Sequence, residues 1–241
     1  MSPFTPPWRP FHPRHRIDIA LGDLLWGLTR CTRDGDPAAS ATELEARIDA
    51  RGEVMVTLSA RSAFDLLLCA LDLPAGSEVL LSAMTIPDMA RVVRGHGLVP
   101  VPVDLDVGTL AVSLDALERA RSPRSRVLVI AHLFGGRVPL APVVDFARRH
   151  ALVLVEDDAQ GFTGPERLAG HPDADVSLYS FGTIKTATAL GGALARVRDP
   201  ALRARMRALH ASHRVQPVAR YARKLATFVA LHPPRGGHGY A

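Results

Sequence analysis

The sequence predicts an α/β protein, a three-layer arrangement with a mostly parallel sheet and helices on both faces. Three observations carry this. Apolar runs such as Arg126–Ala131 and Ala151–Val155 lack the in–out alternation of a sheet with one wet face, so these strands are buried on both sides. Helical repeats separate the runs, as in βαβ units. Turn residues close the repeats, as Pro74-Ala75-Gly76 does after the first long helix.

Taken in order, residues 1–20 hold several prolines and no periodicity, and an extended arm is expected. Leu21 to Thr29 should be a short helix, Asp34 to Ala41 a loop and Thr42 to Ala50 a helix. Val54–Leu58 is the first strand. Ala63, Leu66, Leu67, Ala70 and Leu71 then recur on one helical face. Strand Glu78–Leu81, helix Pro87–Gly95 and strand Leu98–Val103 follow. Ser113 can cap a helix carrying Leu114 and Leu117. After strand Arg126–Ala131, helix Pro139–His150 turns Val143, Val144 and Ala147 inward. Ala151–Val155, Asp175–Ser180 and Gly191–Val197 are the remaining strands. Asp199-Pro200 pairs a cap with a first-turn proline and opens a helix that aligns Leu202, Met206 and Leu209. The last helix, Val218–His232, aligns Val218, Tyr221, Leu225 and Phe228 and stops at Pro233-Pro234.

Composition narrows the functional classes. With 241 residues, 47% hydrophobic and 22% charged, the chain suits one generous domain, or one domain with a short appendage. It holds no apolar stretch long enough for a membrane span. The segment Met1 to Ile17 lacks an apolar core, so no secretory signal is expected, and two cysteines fit a cytoplasmic protein. A net charge of +5 invites a nucleic-acid reading. Against it, Lys185 and Lys224 are the only lysines among 29 basic residues, and no basic block interleaves with aromatics. No nucleic-acid partner is therefore expected. The same count makes a lysine among small and apolar residues informative.

In parallel sheets, ligands bind beyond the carboxyl ends of the strands. Several chemistries fail there. No G-x-G-x-x-G follows the first strand, and Ile184 stands where a P-loop needs glycine before its lysine. No G-x-S-x-G elbow exists, and His12 and His15 have no carboxylate or cysteine nearby, so no metal site is expected. What remains is Asp157 after one apolar strand and Lys185 after the next. A partly desolvated lysine can lose its proton and attack carbonyls. With a carboxylate for a pyridinium nitrogen, this is the minimal equipment for pyridoxal 5′-phosphate. A helix-capping Asp157 and a surface Lys185 are the alternatives.

Several ordered motifs bear on that choice. Glu156-Asp157-Asp158-Ala159-Gln160 is similar to E-D-A-A-Q, and Ser180-Phe181-x-x-x-Lys185 matches S-F-x-x-x-K. Ala131-His132-Leu133-Phe134-Gly135 resembles V-H-L-Y-G. Gly76 and Glu78-Val79 fall in step with G-x-G-x-G-D-E-V, and Gly191-Gly192 resembles a double glycine before a strand. On these motifs, residues from about Glu53 to His213 resemble the DegT/DnrJ/EryC1/StrS sugar aminotransferases, fold-type I pyridoxal phosphate enzymes.

The resemblance implies the large domain of the aspartate-aminotransferase-like fold at residues 51–214. Residues 1–50 would be an arm with helices, and 215–241 a helix and tail, the small C-terminal domain being absent or vestigial. It implies Lys185 as the Schiff-base lysine and proton shuttle, and Asp157 as the pyridinium partner. Gln160 would lie at the phenolic oxygen. Ser59, Ala60, Arg61 and Ser180 would hold the phosphate, and Ile86 would pack on the ring. The family's S-G-T-A-A-L reads Ser59-Ala60-Arg61-Ser62-Ala63-Phe64 here, so Ala60 replaces a glycine and Arg61 offers charge. Ile86 stands for a stacking aromatic and Thr186 for an asparagine. His132 is expected to be a packing residue. Asp158 aligns with alanine and should tolerate asparagine. The helix at 218–232 should lack cover on its apolar face. The implied activity is transfer of an amino group from glutamate or another amino acid to a keto-sugar on a nucleotide, in a homodimer. A shortened, non-catalytic relative acting in assembly or regulation is the rival reading.

Overall fold

A computed structural model describes residues 19–33, 35–162, 164, 170–185 and 187–231. The expected N-terminal arm to residue 18, Thr186 and the tail from residue 232 lie outside the described residues.

The apolar runs form seven strands: β1 Val54–Thr57, β2 Glu78–Ser82, β3 Val99–Val103, β4 Ser125–Ala131, β5 Val153–Asp157, β6 Val176–Ser180 and β7 Ala193–Val197. Their order in the sheet is β1-β7-β6-β5-β4-β2-β3. From β3 to β6 the pairings are parallel, and β7 runs antiparallel to both β6 and β1. The carboxyl ends of β1, β6, β5, β4 and β2 therefore open on one edge of the sheet. The helices are α1 Leu21–Cys31, α2 Pro37–Ile48, α3 Ala60–Leu71, α4 Pro87–Gly95, α5 Leu114–Ala120, α6 Ala141–Arg149, α7 Pro200–Ser212 and α8 Val218–Leu231.

Strand periodicity divides the core in two. Val79, Leu81, Val127, Val129 and Val155 face one layer, where α3, α4 and α7 bring Phe64, Leu67, Met89, Val93 and Met206. Their neighbours Leu80, Leu128, Ile130 and Leu154 face the other, where α5 and α6 bring Leu117, Val143, Val144 and Phe146. Full burial of each such aliphatic chain is worth roughly 1.5–3 kcal/mol. Both faces are covered, which is why the strands are apolar throughout.

Two expectations need correction. The segment expected to be a loop at 34–41 enters α2 at Pro37, because the Asp36 side chain accepts the Ala38 N–H at 2.8 Å and Pro37 fits the first turn. The apolar face of α8 is not bare. Leu225, Phe228 and Val229 pack with Leu24, Leu28 and Ile19 from α1 and its approach, and with Leu190. The Tyr221 hydroxyl donates to the Ala189 carbonyl at 2.7 Å, and the Lys224 ammonium donates to Leu190. So α8 is tied to the loop that follows Lys185.

Candidate active site

Asp157 ends β5, and Lys185 lies five residues past the end of β6, the neighbouring strand. A turn closed by Lys185 N–H on the Gly182 carbonyl, 3.0 Å, brings the lysine back over the strand ends. Both side chains are partly buried. Burial lowers the Lys185 pKa, and the Asp157 charge opposes this. For Asp157 burial raises the pKa, against the pull of the Ala159 N–H and of Lys185, while Asp158 adds to the rise. Asp157 and Lys185, expected just after successive strands, thus lie at the same edge of the sheet.

The other expected residues gather on the same edge. Ser59 caps α3, its hydroxyl accepting the Ser62 N–H at 3.1 Å, while its own N–H donates to Ser62 Oγ at 2.8 Å. Among the described residues, this leaves the N–H groups of Ala60 and Arg61 as open donors at the start of a helix, where an anion is stabilised. The Arg61 side chain is exposed and pairs with Asp88 of α4, which also holds Arg91 at 2.6 Å. Ser180 is partly buried and accepts a long bond from Gly182 N–H, 3.4 Å. Gln160 is exposed in the turn closed by Gly161 N–H on the Asp158 carbonyl, 3.1 Å. Ile86 is exposed at the N-cap of α4.

Two buried polar groupings beneath the site were not anticipated. Glu156, 1% exposed, accepts from His132 Nε2 at 2.8 Å, His171 N–H at 2.9 Å and Ser177 Oγ at 2.8 Å. The Val138 N–H donates to His132 Nδ1 at 3.2 Å, so the ring proton sits on Nε2 and points to the carboxylate. His132 is thus a satisfied packing residue, as expected. Burial raises the Glu156 pKa, but the bonds from His132, His171 and Ser177 outweigh it and hold the group at about 2. Asp158 corrects another expectation. It is fully buried, and its Oδ2 pairs with Arg137 Nη2 at 2.5 Å, so it is no indifferent position. The acidic motif in the sequence carried a signal for both groups: three successive carboxylates at a buried strand end require partners.

These residues fit a pyridoxal phosphate. Among the described residues, the only hydrogen bond to the Asp157 carboxylate is the Ala159 N–H on Oδ1, 3.2 Å, which leaves an edge for a cationic nitrogen. A part-desolvated lysine and an open helix start complete the donor set. No helix among the described residues is long and apolar enough to cross a membrane.

Comparison with known proteins agrees with this geometry. An L-glutamine:2-deoxy-scyllo-inosose aminotransferase of Streptomyces kanamyceticus is 36% identical over 58% of this chain and 33% of its own length. A GDP-perosamine synthase of Caulobacter vibrioides is 32% identical over 61% of this chain and 40% of its own. Among solved structures, the sugar aminotransferase CalS13 of Micromonospora echinospora superposes with a TM-score of 0.67 at 27% identity, over 81% of this chain and 56% of that one. DesI, solved with its TDP-sugar product, gives 0.66 at 30% identity, over 82% and 51%. The chain thus spans about a third to two-fifths of the length of these curated relatives. Residues 41–230 match the DegT/DnrJ/EryC1/StrS aminotransferase family, and the chain belongs to that family of pyridoxal phosphate-dependent transaminases.

Proposed function

We propose that this chain acts as a pyridoxal phosphate-dependent aminotransferase, moving an amino group from an amino acid such as glutamate or glutamine to the ketone of a polyhydroxylated ring, a nucleotide-linked keto-sugar first. The carrying observation is geometric: Asp157 ends β5 and Lys185 lies in the turn after the neighbouring β6, both partly buried at the same edge of the sheet. The relatives named above support the acceptor class: one acts on a keto-cyclitol and another makes a nucleotide amino sugar.

Bound pyridoxal phosphate would supply an aldehyde that reacts with amines and a ring that accepts electrons. This chain's residues do the rest. Lys185, its pKa lowered by burial, presents a neutral amine more readily than a surface lysine, and Nζ can then take up and return a proton. The Asp157 carboxylate stands ready for the ring nitrogen. Its raised proton affinity falls again once a cation sits beside it. Ser59, the Ala60 and Arg61 amides and Ser180 supply donors for the phosphate. Residues 51–214 would be the cofactor-binding domain. Leu58, Met84, Ile86, Phe134 and Ile184 leave apolar surface at the strand ends, which supports cover by a second copy in a homodimer.

The test is direct, because the chain has only two lysines. Pyridoxal phosphate added to purified protein should give a new near-visible absorbance band. Borohydride should then fix a pyridoxyl group on Lys185, and Lys185→Ala should abolish both. Labelling of Lys224 instead, or no band in the unaltered chain, would overturn the assignment.

A further inference from the structure

We infer that Arg137 and Asp158 form a positioning clamp that locks the loop after β4 onto the turn after β5, and so holds Asp157 and Gln160 in place for the cofactor. This rests on the function proposed above.

Asp158 is the surprising member. It stands where the motif it resembles carries alanine, yet it is fully buried. A buried carboxylate is tolerated only with a partner. Arg137 provides it through the 2.5 Å pair at Oδ2, with its own side chain 39% exposed above. The other oxygen, Oδ1, has no hydrogen-bond partner among the described residues and lies against Gly161, where an added Cβ would come within 1.8 Å of it. Room for Asp158 therefore depends on glycine at 161.

The backbone shows what the pair joins. The His132 N–H donates to the Asp157 carbonyl at 2.9 Å as the loop leaves β4. Phe134 and Gly135 then turn the chain with φ of 56° and 79°. A Cβ on Gly135 would lie 3.4 Å from the Gln160 carbonyl, so the loop runs directly over the 158–161 turn. Arg137 reaches down where the loop ends. Successive residues at a strand end point to opposite faces, so anchoring Asp158 on the loop side fixes the direction of Asp157 on the other. Gln160 belongs to the same turn, its carbonyl facing Gly135 of the loop.

The test is a double-mutant cycle with Arg137→Ala, Asp158→Ala and the double variant, read in two ways. In the cofactor-free protein, urea unfolding and amide hydrogen exchange over 133–138 and 158–161 are followed. Arg137→Ala strands a buried charge and should be the most destabilised. The double variant should recover stability, with a coupling of roughly tenfold in the unfolding equilibrium, within the range for contacting pairs. Exchange in both segments should rise in all three variants. Other contacts of Arg137 cancel in the coupling term.

Pyridoxal phosphate affinity is then measured by absorbance titration. A positioning role predicts that the double variant stays weak, by roughly tenfold, although its stability has returned. Arg137→Lys, which keeps the charge, should regain part of the affinity. A double variant that binds cofactor as well as the unaltered chain would reduce the pair to a structural role and overturn the proposal. Additive unfolding effects with unchanged exchange would also overturn it. If the unaltered chain binds no pyridoxal phosphate, the function proposed above falls, while the cofactor-free arm still decides whether the clamp exists.

Discussion

Replacing Glu156 by glutamine should cost the protein about 3 kcal/mol at neutral pH, and the cost should fade on acidification. The group is 1% exposed and carries three hydrogen bonds, from His132, the His171 N–H and Ser177. Together they hold it at about 2, against 4.5 for an ordinary glutamate. At about 1.4 kcal/mol per pKa unit, that difference is worth roughly 3 kcal/mol of folding free energy. The sign follows from linkage. The folded pKa lies below the unfolded one, so the stabilisation is complete above 4.5 and is lost as pH falls through the interval down to about 2. Glutamine keeps an acceptor for His132 but turns amide hydrogens toward the His171 N–H and Ser177. Urea unfolding of both proteins at steps from neutral pH downward isolates this group, since the other carboxylates are common to both. The stability gap should be widest at neutral pH and lose more than half its size by about pH 3. A gap that stays constant with pH would show that Glu156 acts through packing and not through its charge.

Asp157→Asn should hurt chemistry more than cofactor retention. An amide cannot stabilise a protonated ring nitrogen, whereas the phosphate donors are untouched. Single-turnover amino transfer should fall by about 10²-fold, the scale of losing one electrostatic stabiliser, with pyridoxal phosphate affinity nearly unchanged. Full single-turnover rate in a folded Asp157→Asn would remove it from its role. Leu225→Ala should release α8 from α1. Leu225 is 1% exposed and lies against Gly27, and deleting such a leucine costs roughly 2–5 kcal/mol. Hydrogen exchange should speed up in α8, and the 187–190 loop should loosen with it because Tyr221 and Lys224 bond to Ala189 and Leu190. Equal protection of α8 in both proteins would refute this docking.

The sheet and the central pair were legible because they depend on local pattern. Runs such as Val127–Ala131 are apolar at every position only when both faces are covered, and strand ends follow from where each run stops. A carboxylate and a lysine placed just past two such ends, one strand apart, needed no longer-range information. Asp36-Pro37 is a local cap signal too, but the expectation from sequence puts 34–41 in a loop and starts the helix at Thr42. Tertiary structure alone decided the rest. Arg137 and Asp158 are 21 positions apart, and nothing in either segment says that the loop after β4 folds back onto the turn after β5. Glu156 likewise takes bonds from His132 just past β4, from Ser177 of β6 and from His171 in the segment before β6. The cover for α8 comes from α1, at the other end of the chain. The physical reason is the same in each case. The sequence shows that a buried charge or an apolar face must be satisfied, because leaving it unsatisfied costs several kcal/mol, but only the folded chain determines which distant segment arrives to satisfy it.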